Sequence, residues 1–169
     1  MGRRALTDNK DRFFGAVVYL FALKDAFFFG AMLLSIVPAL APVLSPLISF
    51  LGILLIPVTL IYAIVGTAIP GGFGSLVIFF VLIIAVVQNE RISYFIRFNT
   101  MQSILIGIAL SLVQILVTQL SALGSIMSTI GGITFLIATP ICIYCMVQCI
   151  LGRYPEIPNF SKFVYDQVR

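Results

Sequence analysis

Histidine and tryptophan are absent, and only 9% of the 169 residues are charged. Without histidine there is no imidazole acid–base chemistry and no source of the commonest transition-metal ligand. So little charge excludes a water-soluble domain, in which about 25% charged residues is usual. No charged residue occurs from Ala26 to Asn89, and none from Phe98 to Gly152. Cysteine is scarce: three residues, an odd count that argues against a disulfide framework. Cys142 and Cys145 form a C-x-x-C pair, but no second pair or histidine completes a metal site, and no basic neighbour lowers a thiol pKa. The three read as small packing residues. Nucleotide-loop and catalytic-triad patterns are missing. Gly71-Gly72-Phe73-Gly74 has neither a strand before it nor a Lys-Ser/Thr after it, and reads as a turn. Nothing here implies an enzyme, a metal or any other cofactor.

What the chain does have is apolar length. It is 61% hydrophobic with a mean hydropathy of +1.17. The runs are long and continuous rather than alternating segments of about ten residues, so the expected fold class is an all-α membrane protein and not a barrel. The net charge of +4 sits at the ends of apolar segments, where topology accounts for it without a nucleic-acid partner. Phe13–Leu23 mimics a signal-peptide core, but Lys24-Asp25 follows it and no small-residue cleavage site appears.

A span needs about 20 apolar residues to cross roughly 30 Å of hydrocarbon. Five regions compete: Phe13–Val37, Leu47–Ile69, Gly71–Val87, Met101–Leu123 and Ser128–Leu151. Positive charge marks the N-terminal tail of residues 1–12 (Arg3, Arg4, Lys10, Arg12), the middle (Arg91, Arg97) and the tail of residues 152–169 (Arg153, Lys162, Arg169). If all three patches face one compartment, two spans separate each from the next. This predicts a four-helix transmembrane bundle with spans over 13–37, 71–88, 101–123 and 128–151. Pro38, Pro42, Pro46, Pro57 and Pro70 punctuate the remaining 38–70, which is expected to form broken interfacial or re-entrant helices at the outer face. The alternative is a fifth span kinked at Pro57. Glu90–Phe98 (ERISYFIRF) is expected to be an amphipathic interfacial helix between spans two and three.

Several polar residues lie inside the apolar segments. Lys24-Asp25 falls near the middle of the first span, where a charge costs about 2.5–3.5 kcal/mol. Two placements are open: Asp25 faces the bundle at mid-span, or the span begins near Ala26 and the pair sits among headgroups. Ser103, Gly107, Ser111, Gln114, Thr118 and Ser121 trace one helix face, and Gly131, Thr134, Ala138, Cys142, Cys145, Cys149 and Gly152 trace another. Both stripes are expected to point inward, either as close helix packing or as a polar path. Asp25, Ser111, Gln114, Thr118 and Gln148 are the candidate path or packing residues.

ISYFIRFNTMQSI resembles an element of the twenty-kilodalton membrane subunit of the chloroplast inner-envelope protein translocon (the Tic complex) and its cyanobacterial or plastid-encoded homologues. The similar element in that family is RFN-x-x-Q, entering the third span. DRFFGAVVYLFALKDA at Asp11–Ala26, LGRYPEIP at Leu151–Pro158 and the closing YDQV are also similar to the family, in the same order. The resemblance implies a component of a protein-import complex, with other membrane subunits, a preprotein and the lipid bilayer as partners. It implies a plastid inner envelope membrane or a cyanobacterial plasma membrane, with both termini on the stromal or cytoplasmic side. Arg91, Arg97, Asn99 and Gln102 would fix the inner turn and contact partners there, with Asn99 capping the third helix. A scaffold subunit and a small-solute channel or carrier are the competing readings.

Overall fold

The computed structural model describes residues 7–69, 73–158 and 160–168. Every regular element among them is helical. The first three helices, α1 (Asn9–Val17), α2 (Tyr19–Phe27) and α3 (Gly30–Ile36), follow end to end as a 28-residue run, Asn9–Ile36. The Asp8 side chain accepts from the Asn9 amide at its start, and Asp11 in the first turn suits the positive end of the helix dipole. A short 3-10 turn, Pro38–Leu40, leads into α4 (Ala41–Leu54), α5 (Ile56–Ala68) and α6 (Gly74–Val81), the last continuing as a π-wound stretch over Leu82–Val87. Two long helices then form the rest of the bundle, α7 (Tyr94–Gln119) and α8 (Ser125–Ile150), before the short α9 (Phe160–Gln167).

The long helices end where the sequence supplies caps. Ser93 opens α7 by accepting from the Ile96 amide at 3.4 Å. Gly152, at φ +69°, closes α8 in a Schellman turn: its amide donates to the Cys149 carbonyl and that of Arg153 to the Gln148 carbonyl, both at 2.9 Å. Gly124, at φ +53° and ψ −115°, takes a positive-φ conformation suited to glycine in the tight link between α7 and α8.

The run Asn9–Ile36 packs against both α7 and α8. Tyr19, Leu23, Ala26 and Phe29 meet Phe135, Ala138, Cys142, Cys145 and Cys149 in one buried core. Small residues permit the approach: a side chain on Gly132 would meet Leu33 and Ile36, and one on Gly15 would meet the Phe95 ring. A second cluster joins Val87, Phe98 and Ile104 to Val164 of α9 and to Val168 just after it. Outside these cores large apolar side chains such as Val43, Ile53, Ile64, Ile84, Leu112 and Ile126 stand exposed, which suits lipid and not water.

The all-α membrane-bundle class holds, while the pieces differ in detail from the expectation. Among the described residues three runs are long and apolar enough to cross: Asn9–Ile36, Tyr94–Gln119 and Ser125–Ile150. Pro38–Leu54 and Ile56–Ala68, bent by 56° at their break, make a fourth if taken as one span. The break falls at Leu55, and Pro57 sits in the first turn of α5, where proline is tolerated, so the helix is interrupted and not kinked at Pro57. Gly74–Val87, expected as the second span, is 14 residues, about 21 Å at 1.5 Å per residue. Residues 70–72 lie outside the described residues.

The amphipathic helix expected over Glu90–Phe98 is not a separate element. Residues 88–93 form the turn, and Tyr94 onward is already α7. Asn99 is therefore not the cap of that helix: it lies in the second turn, and Ser93 caps it. The amphipathic helix that does form is α9, with Ser161, Val164 and Val168 inward and Lys162 and Phe163 exposed.

Candidate functional site

Arg12, Arg97 and the start of the C-terminal tail meet at one end of the bundle. Gly152 lies so close to α1 that a Cβ there would sit 2.9 Å from Arg12 Nε, and Gly15 lies against Phe95 at the start of α7. Arg97 reaches back across the turn and donates through Nε to the Val87 carbonyl at 2.8 Å. It is buried, at 9% exposure, whereas Arg91 is exposed and its amide donates to Asn89 Oδ1 at 3.1 Å.

Asn99 and Gln102 are fully buried just inside this end. Asn99 Nδ2 donates to the Phe95 carbonyl at 2.7 Å, while its Oδ1 accepts from the Tyr19 hydroxyl at 3.0 Å and the Cys149 thiol at 3.1 Å. Gln102 Nε2 donates to the Pro155 carbonyl at 2.9 Å, and its Oε1 accepts from the Ser161 hydroxyl at 3.4 Å. Ser103 Oγ donates to the Val18 carbonyl at 2.7 Å. Asparagine, glutamine and serine on successive turns of α7 thus bind α2, α8 and the C-terminal tail into one knot. The expectation had Asn99 and Gln102 fixing the inner turn and meeting partners there; burial with satisfied partners makes them internal ties instead. Tyr154 adds an aromatic lid over the knot, its ring 5.1 Å from Phe98 and 5.2 Å from Phe95.

The second polar locus lies deeper. Asp25 Oδ1 accepts from Lys24 Nζ at 3.2 Å, and the same ammonium sits 3.9 Å above the centre of the Tyr62 ring on α5. A Cβ on Gly107 would lie 3.3 Å from Asp25 Oδ2. Gly107 is halfway along α7, and Lys24-Asp25 is near the middle of the run Asn9–Ile36. The pair therefore borders the central part of the bundle. A cavity of about 400 Å³ opens here between α2 and α7 on one side and α5 and α6 on the other, with Lys24, Asp25, Tyr62, Ser103, Ser111 and Gln114 on its wall.

Of the candidate path residues, Asp25, Ser111 and Gln114 come together in this cavity, and Thr118 and Gln148 do not. Thr118 is exposed and its hydroxyl donates back to the Gln114 carbonyl at 2.8 Å. Gln148 is on α8, its Oε1 buried with no hydrogen-bond partner among the described residues. The α8 stripe points inward as expected, with Gly131, Ala138, Cys142, Cys145, Cys149 and Gly152 buried and Thr134 half-buried. The α7 stripe splits: Ser103 is buried against Val18 and Gly107 faces Asp25, but Ser111, Thr118 and Ser121 are exposed. Sequence reasoning missed Tyr19 and Tyr62. The α7 stripe continued one turn back to Asn99 would have signalled the knot; nothing in the sequence pairs Lys24 with Tyr62, 38 positions on.

A family model described as "Chloroplast import apparatus Tic20-like" matches residues 9–163. A Tic20 family protein of the cyanobacterium Synechocystis sp. is 40% identical over 173 aligned positions, spanning 100% of this chain and 99% of the relative. The match takes in the first helical run, the knot residues and the Tyr154–Pro158 tail together, and on that extent the chain belongs to the Tic20-like family of the chloroplast import apparatus.

Proposed function

We propose that this protein is a preprotein-conducting subunit of an import translocon, in which the cavity beside Asp25, Ser111 and Gln114 borders the path of the cargo. The observation that carries this reading is a charged pair with uncommitted polar side chains around a cavity midway along the bundle. Ionisable residues at that depth are costly and mark substrate paths in membrane proteins. The cavity of about 400 Å³ is too small for a folded chain, and a helix is about 10 Å across. A protein-sized path therefore uses other membrane subunits or further copies. The knot of Tyr19, Asn99 and Gln102 serves as scaffold for that path, and Arg91, exposed at the same end, is free to meet partner subunits.

The same reading sets both termini and the turn at residues 88–93 on the stromal or cytoplasmic side, of a plastid inner envelope or a cyanobacterial plasma membrane. Its support is the positive-inside tendency together with the meeting of Arg12, Arg97 and Gly152 at one end of the bundle. Ile36 lies at the opposite end, beside Gly132, so the chain from Ile36 to Val87 makes one net return passage.

Crosslinking of an arrested preprotein to a photoreactive residue at Ile108 tests conduction, and crosslinks in the assembled complex are expected. If arrested cargo reaches no position on the cavity wall, the conducting role is lost and the scaffold reading stands. Solute flux through the purified protein alone in liposomes would instead favour a small-solute channel.

A further inference from the structure

The cavity wall carries polar capacity that the protein itself leaves unused. Gln114 is half-buried and Ser111 exposed to the cavity, and among the described residues neither side chain makes a hydrogen bond. Asp25 Oδ1 is taken by Lys24, while Oδ2 faces Gly107 with no donor among the described residues. The rest of the wall is mostly apolar: Phe21, Ile78, Phe79, Leu82, Ile104 and Leu112. Polar groups without partners in such surroundings are costly, so their presence in one ligand-sized cavity points to a polar occupant.

The pattern of donors and acceptors narrows the occupant. A glutamine side chain carries the same amide as a peptide unit, an acceptor carbonyl and donor N–H groups. It can pair with one backbone N–H and one backbone C=O, as neighbouring strands do. Ser111, three residues before Gln114, lies about 4.5 Å from it along the helix axis, so the two can reach different backbone groups of one extended chain, whose rise is about 3.3 Å per residue. An extended polypeptide inside a membrane has the complementary need, since its backbone groups find no water there.

We propose that this cavity binds extended polypeptide backbone: Gln114 and Ser111 each bond a backbone group of the chain, and Asp25 Oδ2 accepts a backbone N–H. The proposal rests on the conducting role and specifies what the path recognises. Backbone groups are the same in every cargo, so the site holds a passing chain whatever its sequence. Lys24 remains anchored over the Tyr62 ring when Asp25 turns to the cargo.

The test uses the assembled complex in its membrane, with a photoreactive residue at Ile108 and arrested cargoes whose passing segments are neutral, cationic or anionic. The wild-type chain is expected to crosslink to all three. The double variant Gln114→Leu, Ser111→Ala is expected to lower the yield about tenfold for all three alike, the effect of removing two hydrogen bonds. An unchanged yield overturns backbone binding and leaves the conducting role intact. A loss confined to the cationic cargo also overturns it, in favour of a side-chain site at Asp25. No crosslink from Ile108 in the wild type overturns conduction and this proposal together. Should the double variant fail to assemble, Gln114→Met alone, with the same readout, decides between the same outcomes.

Discussion

The Tyr19 hydroxyl and the Asn99 side-chain carbonyl, 80 positions apart, meet at 3.0 Å with both residues fully buried. The bond joins the first helical run to α7, and the Cys149 thiol, donating to the same oxygen, brings in α8. Tyr19→Phe deletes a donor and leaves the oxygen to Cys149. The expected loss of stability is about 1 kcal/mol, the size of one buried hydrogen bond. Asn99→Leu orphans both donors, and a larger loss of about 2–3 kcal/mol is expected. Unfolding of the two variants in detergent checks the order; equal losses would mean that Asn99 is not the hub.

Gln102 holds the tail through the Pro155 carbonyl and Ser161, and Ser161 in turn accepts from the Ile157 amide at 2.8 Å. With Gln102→Leu the tail loses both ties to α7. Amide exchange over residues 153–168 is expected to quicken while that of α8 stays slow. Exchange that is unchanged in the tail would show that apolar and aromatic packing, such as Val164, Val168 and Tyr165 against Phe98, holds it without Gln102.

A Cβ on Gly74 would lie 3.1 Å from the Gly66 Cα and 3.2 Å from its nitrogen. Backbone cannot swing aside, so Gly74→Val must push α5 and α6 apart, at about 1–3 kcal/mol for an overpacked contact. Spin labels on the exposed positions Leu60 and Phe80 should report a longer distance in the variant. The cavity between these helices and α7 would change shape with them.

Burial, reinforced by Tyr94, Tyr165 and Asp11 nearby, pushes the Tyr154 phenol up from 10.0 to about 12. The folded state thus holds the neutral phenol more tightly than the unfolded chain does. Its contribution is complete below pH 10 and is lost as pH rises through about 12. Between these values Tyr154→Phe should keep its tail docked where the wild type loosens, as read by tail proteolysis. Identical profiles would place the alkaline sensitivity elsewhere.

Much of this fold is legible in the sequence because one solvent dictates it. Uncharged runs as long as Phe98–Gly152 have nowhere to go but a bilayer, and Gly124 divides that run into α7 and α8. The beginning of α7 was less legible. Arg97, Asn99 and Gln102 read as inner-turn residues when judged by polarity alone, with the expected start at residue 101. Each is instead satisfied by a partner far along the chain or across a turn: Val87, Tyr19 or Pro155. Polarity in a sequence does not distinguish a group solvated by water from one solvated by protein. The α7 stripe misled in the same way, since periodicity gives a face but not what covers it.

The sequence by itself determined the all-helical membrane class and the cationic patches that mark one end of the bundle, because hydropathy and charge act on each segment locally. It also determined the α8 stripe of small residues, which only a close helix neighbour can use. Tertiary structure alone decided that RFN-x-x-Q is a buried knot, that the C-terminal tail folds back as α9, and that Lys24-Asp25 faces a cavity with Tyr62, Ser111 and Gln114. Those outcomes depend on contacts between residues tens of positions apart. No single segment carries the information about which partner will satisfy its polar groups.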